Sequence, residues 1–163
     1  MTTSTNTNAR WIGVLMIPFA LLSALLCFVF VMSSQYGWKN EAGTSLTTGL
    51  STGLITLWLF LAGIALIRRR PAASLRAPGV LAMAGGVLGI AALLPQAFGN
   101  DRVTEFVKFA WMLLPGIFGS GVAGAGHILS ARGKNGLPLY LFGVLGFLGS
   151  ILMFALLVFR IVK

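Results

Sequence analysis

The sequence predicts an all-α integral membrane protein, a bundle of five transmembrane helices joined by short loops. Hydrophobic residues make up 57% of the 163-residue chain and charged residues only 9%, whereas a soluble domain carries about 25% charged residues. The apolar residues fall into five continuous stretches of 19 to 22 residues. A helix of that length crosses a hydrocarbon layer about 30 Å thick, and transmembrane strands are about half as long.

The N-terminal part of the chain is predicted to hold a polar tail and two spans. Residues 1–10 are polar, end in Arg10 and are predicted to be disordered, and 11–163 form a single membrane domain. The first span, 11–32, is longer than the apolar part of a cleaved signal peptide, so we expect it to remain as a helix. A polar loop, 33–45, precedes the second span, 46–67.

A cluster of arginines follows the second span and sets the predicted orientation. Arg68, Arg69 and Arg70 are adjacent, and burying them in hydrocarbon would cost several kcal/mol. Because short cytoplasmic loops are enriched in Lys and Arg, this loop predicts a cytoplasmic N-terminus and an outside C-terminus. We expect anionic lipid headgroups to contact the basic residues of the two cytoplasmic loops: Arg68, Arg69, Arg70, Arg76, Arg132 and Lys134.

Three further spans, 80–98, 109–129 and 139–159, complete the predicted bundle. The fourth helix is expected to start near Asn100 or Asp101, which can cap it. Seven identities in the 16 pairs that join 79–94 to residues 64 positions later suggest a tandem hairpin repeat, 46–98 and 109–159. Chance similarity between helices rich in Gly, Ala and Leu is the open alternative.

Small residues within the spans predict close helix packing. Glycines four apart allow two helix backbones to approach each other, and a run of small residues in the fourth span has the same effect. The predicted packing positions are Gly49, Gly53, Gly85, Gly89, Gly121 and Gly124.

Polar groups within the spans are few. A candidate polar face comprises Thr48, Thr52, Thr56 and Ser120; it could line a path, or its hydroxyls could bond back to the helix backbone. His127, the one residue in the spans of the Asp, Glu, His, Lys and Arg types, is the candidate for binding a quinone or another ligand. The alternative is an interfacial histidine bonded to a carbonyl or a headgroup. No catalytic or metal-ligating residue, and no cofactor, is predicted.

The predicted function is that of a non-catalytic subunit, not an enzyme, which packs within a larger membrane protein complex. The first alternative is a small homo-oligomeric channel with a threonine-lined path, and the second is a quinone-site or ligand-site protein that uses His127. The expected partners are membrane lipids and other membrane subunits. Anionic lipid headgroups, and not nucleic acid, are expected to balance the net charge of +9. The expected location is the bacterial cytoplasmic (inner) membrane.

Overall fold

The structure, a computed structural model, describes residues 4–36, 42–98 and 105–161. Throughout these ranges the regular elements are helices, which confirms the all-α class with five α-helices. In chain order they are α1 (Ser4–Tyr36), α2 (Ala42–Ile67), α3 (Arg76–Phe98), α4 (Glu105–Ala131) and α5 (Leu137–Ile161). A short 3₁₀ turn, Ala72–Leu75, connects α2 to α3.

Four of these helices are long and apolar enough to cross a membrane. The spanning segments are Arg10–Met32, Ser45–Ile67, Ala72–Leu94 and Met112–Ala131. They make the chain an integral membrane protein. In α5 the apolar segment that can be assigned among the described residues, Leu137–Ser150, is shorter than a full span. The prediction of five spans is therefore confirmed for four.

Several helix starts differ from those predicted. Helix α1 begins at Ser4, within the stretch predicted as a disordered tail. Ser, Thr and Asn favour helix N-termini, so the polar composition of residues 1–10 does not mark where the helix begins. Helix α3 begins at Arg76, before Val80, because Pro78 is tolerated in a first turn, where its missing N–H has no partner in any case. The described part of α4 begins at Glu105, and the predicted start near Asn100 lies outside the described residues.

The helices form a curved row in chain order. Each helix packs against the next one, α2 also touches α4, and the described parts of α1 and α5 make no backbone contact with each other. Contacts such as Gly13 with Gly63, and Gly119 with Gly143, show that neighbouring helices run antiparallel. Side chains still meet across the gap between the two end helices, where the Tyr140 hydroxyl lies 3.8 Å from Met16 Sδ.

Two turns at one end of the bundle share the same backbone geometry. Two residues after the end of α2, Arg69 has φ 51°, and two residues after the end of α4, Gly133 has φ 73°. The Arg70 amide donates to the Ala65 carbonyl at 2.9 Å, and the Lys134 amide donates to the Leu129 carbonyl at 3.0 Å. Each of these hydrogen bonds joins an amide to the carbonyl five positions earlier, and it satisfies a carbonyl that the helix end leaves unpaired. The left-handed residues lie 133 − 69 = 64 positions apart, the offset of the predicted hairpin repeat.

Basic side chains gather at this end of the bundle. It contains the start of the α1 span, the turn after α2, the start of α3 and the α4–α5 turn. Their basic side chains are all exposed: Arg10, Arg68, Arg69, Arg70, Arg76, Arg132 and Lys134. We call this end, defined by those seven residues, the basic end.

Candidate functional site

An aromatic cluster, defined here as Trp58, His127, Tyr140 and Phe147, joins α2, α4 and α5. The Trp58 ring lies 6.0 Å from the His127 ring in an edge-on arrangement and 5.9 Å from the Phe147 ring. The Tyr140 ring lies 5.1 Å from the His127 ring. Edge-on and tilted arrangements at these distances are favourable for aromatic rings. The cluster therefore ties α2 to the α4–α5 pair, which lies much later in the sequence.

Two nitrogen atoms in this cluster are buried without a hydrogen-bond partner. Trp58 is 2% exposed and His127 is 5% exposed, and neither Trp58 Nε1 nor His127 Nε2 has a partner among the described residues. The indole N–H can only donate, whereas a neutral imidazole carries one donor and one acceptor nitrogen. Leaving such a group unpaired costs about 1–3 kcal/mol. The cluster could thus accept a hydrogen-bonding ligand, and it is the polar centre of the buried interior.

An apolar groove lies on the other side of Phe147. It has a volume of about 180 Å³ and is lined by residues of α1, α2, α4 and α5. The α1 wall contains Phe19, Leu22 and Leu26, and the α4 wall contains Met112 and Ile117. Leu22 is 51% exposed and Met112 is 6% exposed, so the groove leads from the outer surface of α1 to a buried floor on α4.

The three hydroxyl side chains in the groove wall already have partners within the chain. The Ser23 hydroxyl donates to the Thr52 carbonyl at 3.2 Å, and the Thr52 hydroxyl donates to the Gly49 carbonyl at 2.9 Å. Ser150 Oγ accepts a hydrogen bond from the Gly116 amide at 2.6 Å. The groove therefore presents a surface that is apolar in practice, although three of its residues are polar.

The predicted polar face is used for packing inside the chain. Thr48 and Ser120 are fully buried, and Thr52 is almost so. The Ser120 hydroxyl donates to the Ile117 carbonyl at 2.7 Å. Thr56 Oγ1 lies 2.8 Å from the Thr52 carbonyl oxygen and 3.0 Å from Ser23 Oγ on α1. The hydroxyls of Thr52, Thr56 and Ser120 thus each lie within hydrogen-bond distance of a backbone carbonyl of their own helix.

The predicted packing glycines lie between helices of the same chain. Gly49 and Gly53 face α1, Gly85 faces α2, Gly89 lies between α2 and α4, and Gly121 and Gly124 face α3. A methyl group added at Gly124 would lie 2.6 Å from the Gly79 carbonyl oxygen and 2.7 Å from Ala82 Cβ. A methyl group at Gly121 would make only an ordinary contact, 3.6 Å from Gly86 Cα.

Sequence reasoning missed three parts of the buried interior. It overlooked the Gly13–Gly63 contact, since these glycines belong to no spaced pair. It also overlooked the row of Gly143, Gly146 and Gly149 on α5, whose spacing of three residues was available as a signal. The pairing of Trp58 with His127 had no local signal, because 69 positions separate the two residues.

The remaining candidates lie at the surface or form no cluster. The basic residues predicted to contact lipid are exposed at the basic end. In the described part of the chain, no group of three or more His, Cys, Asp or Glu side chains could hold a metal ion. Comparisons with protein-family models, curated proteins and solved structures give no match. The function is therefore inferred from the geometry of the chain's own residues.

Proposed function

We propose that the protein is a non-catalytic integral membrane subunit that packs within a larger membrane protein complex. The observation that carries this proposal is the position of α1 at one edge of the row. In the described chain its backbone adjoins α2 alone. The face turned away from α2 carries large apolar side chains at helical spacing, with Leu21 70%, Leu25 59% and Phe28 60% exposed.

The spacing of these α1 residues suits contact with a second helix. Leu21, Leu25, Phe28 and Met32 recur at intervals of four, three and four residues. This is the pattern of a left-handed helix pair, the commonest packing geometry in membrane bundles. The small-residue faces described above are already occupied inside the chain, so the proposed contact with a partner uses large side chains on α1.

The same proposal includes orientation and location. The basic end is assigned to the cytoplasmic side, because positive charge in short loops favours that side, and anionic headgroups there are its counter-charge. The N-terminus then lies inside, α5 is the fifth span and the C-terminus lies outside. The membrane is proposed to be a bacterial cytoplasmic membrane.

The channel alternative receives less support from the geometry. Thr52 and Thr56 lie against α1 and donate hydrogen bonds within the α1–α2 pair. An ion crossing the membrane needs polar groups that replace its hydration shell, and these hydroxyls already have internal partners. Liposomes that contain the purified chain alone should therefore show no measurable proton, sodium or potassium flux. A flux that Thr52→Val abolishes would support the channel instead.

A ligand site at His127 is the second candidate function. The buried, unpaired His127 Nε2 and Trp58 Nε1 favour it, since a carbonyl oxygen such as that of a quinone could accept a hydrogen bond from the indole. The two candidates differ in a simple measurement. Mild-detergent purification should yield a complex with defined partners if the chain is a packing subunit, and a chain with a bound chromophore if it is a quinone-site protein.

A further inference from the structure

We infer that the groove between α1 and α5 is a binding site for one hydrocarbon chain of a membrane lipid. The site is defined by Leu22 and Leu26 on α1, Ile55 on α2, Met112 on α4 and Phe147 on α5. It is a different surface from the outward face of α1 that is proposed to contact a partner, and it does not depend on that proposal.

The first argument is the depth of the groove in the membrane. Leu22 lies near the middle of the span Arg10–Met32, and Ile55 lies near the middle of the span Ser45–Ile67. Within the described parts of α1 and α5 the backbones make no contact, and Leu22 at the rim is 51% exposed. A groove that opens sideways at this depth faces lipid tails, because the hydrocarbon layer extends about 15 Å to each side of the bilayer centre.

The second argument is the chemistry of the wall. Among the described residues of the wall, Ser23, Thr52 and Ser150 carry hydroxyl groups, and all three already have the internal hydrogen bonds described above. The wall therefore offers few hydrogen bonds to a polar occupant, and the polar groups of such an occupant would lose their solvation on entering. The wall favours a hydrocarbon segment over a polar or charged molecule.

The third argument is size. The groove has a volume of about 180 Å³, and an engineered apolar protein cavity of about 150 Å³ binds benzene. A segment of an acyl chain fits such a space, whereas a whole helix, with a diameter of about 10 Å, does not. Filling the groove also restores dispersion contacts that its lining atoms would otherwise lack.

The experiment uses a phosphatidylcholine that carries a diazirine in the middle of one acyl chain. The full-length protein is reconstituted into phosphatidylcholine vesicles containing a small fraction of this probe, irradiated, digested and mapped by mass spectrometry. Met112 is the diagnostic residue, because it is buried and lies on the groove floor. We expect label on Met112 as well as on outward-facing residues such as Leu21.

A substitution at a second position of equal exposure provides the control. Leu22 and Leu57 are both 51% exposed, but only Leu22 lines the groove. Leu22→Trp should reduce labelling of Met112 at least fivefold, whereas Leu57→Trp should leave it unchanged. Labelling of Leu21 should persist in both variants, which shows that α1 remains in the bilayer in each, and equal melting temperatures of the two variants show that each remains folded.

Three outcomes would overturn the inference. The first is label confined to outward-facing residues in the wild-type protein. The second is Met112 labelling that Leu22→Trp does not alter. The third is Met112 labelling in vesicles but not in native membranes, which would assign the groove to a side chain of another protein. None of these results depends on whether the α1 face binds a partner, so the two proposals can fail separately.

Discussion

Gly79 and Gly124 face each other across the α3–α4 interface so closely that neither position has room for a side chain. A methyl group on Gly79 would lie 2.8 Å from the Gly124 carbonyl oxygen, and one on Gly124 would lie 2.6 Å from the Gly79 carbonyl oxygen. Both obstacles are backbone atoms, which cannot rotate aside as a flexible side chain can. The spacing of α3 and α4 therefore depends on these two glycines.

The first prediction tests this contact. Gly124→Ala should lower the free energy of unfolding by about 1–3 kcal/mol, the usual cost of overpacking. Gly124→Leu should prevent α3 and α4 from packing together. Gly121→Ala is the matched control on the same helix, since its added methyl group makes only an ordinary contact. Thermal unfolding in detergent measures both. Equal melting temperatures for Gly124→Ala and Gly121→Ala would show that α3 and α4 are not this close.

The second prediction concerns the two left-handed turns at the basic end. Gly133→Ala should destabilise the protein by about 1 kcal/mol, because a Cβ atom is unfavourable at positive φ. Arg69→Gly should be stabilising or neutral, because Arg69 already has a Cβ atom at φ 51°. Denaturant unfolding should give a lower free energy of unfolding for Gly133→Ala than for the wild type, and an equal or higher one for Arg69→Gly. A loss of stability in Arg69→Gly equal to that in Gly133→Ala would contradict the turn geometry.

How far the sequence predicts the structure depends on how local the cause is. The arginine cluster correctly marked the end of α2 at Ile67, because charge at a membrane surface acts where it stands in the sequence. Gly85 was predicted as a packing position from its spacing to Gly89, since residues four apart share a helix face, and Gly124 was predicted from the run of small residues in the fourth span. The facing partner of each was not found, because rotation of a helix about its axis is set by the whole interface.

The aromatic cluster shows what the sequence could not supply. The sequence showed His127 only as an isolated histidine within a span. A ligand site and an interfacial histidine require different surroundings, and the sequence does not show which other side chains lie beside it. Its neighbours Trp58 and Tyr140 come from α2 and α5, and they meet it only when the row of helices curves. The groove likewise depends on how the helices are arranged, since residues of four helices line it. The sequence of each helix alone does not indicate it.

The third prediction addresses the two unpaired nitrogens of that cluster. In the purified chain, His127→Phe should melt at or above the wild-type temperature, because it removes a buried unpaired polar group and retains a planar ring. His127→Ala should melt lower, because it leaves a cavity. If the chain is a packing subunit, His127→Ala leaves the activity of the parent assembly within about threefold, or about 0.7 kcal/mol. Loss of that activity with assembly intact would favour the ligand site.

The fourth prediction tests the proposed orientation. In a Cys27→Ser background, a cysteine at Ser74, next to the basic end, should not react with a membrane-impermeant thiol reagent in intact cells. A cysteine at Asn40, in the polar stretch that the sequence places between the first two spans, should react. Both should react after the cells are opened, which controls for accessibility. Reaction at Ser74 but not at Asn40 in intact cells would reverse the orientation.

The central claim is that the outward face of α1 holds the chain in a larger assembly, and native electrophoresis of the tagged protein in a mild detergent tests it most directly. The test variant combines Leu21→Ala, Leu25→Ala and Phe28→Ala, and the control combines Val80→Ala, Val87→Ala and Leu94→Ala on the exposed face of α3. The account predicts a band well above the 17.2 kDa chain that is lost in the α1 variant and retained in the α3 control. A chain that migrates alone, or a large band that survives the α1 substitutions, would contradict it.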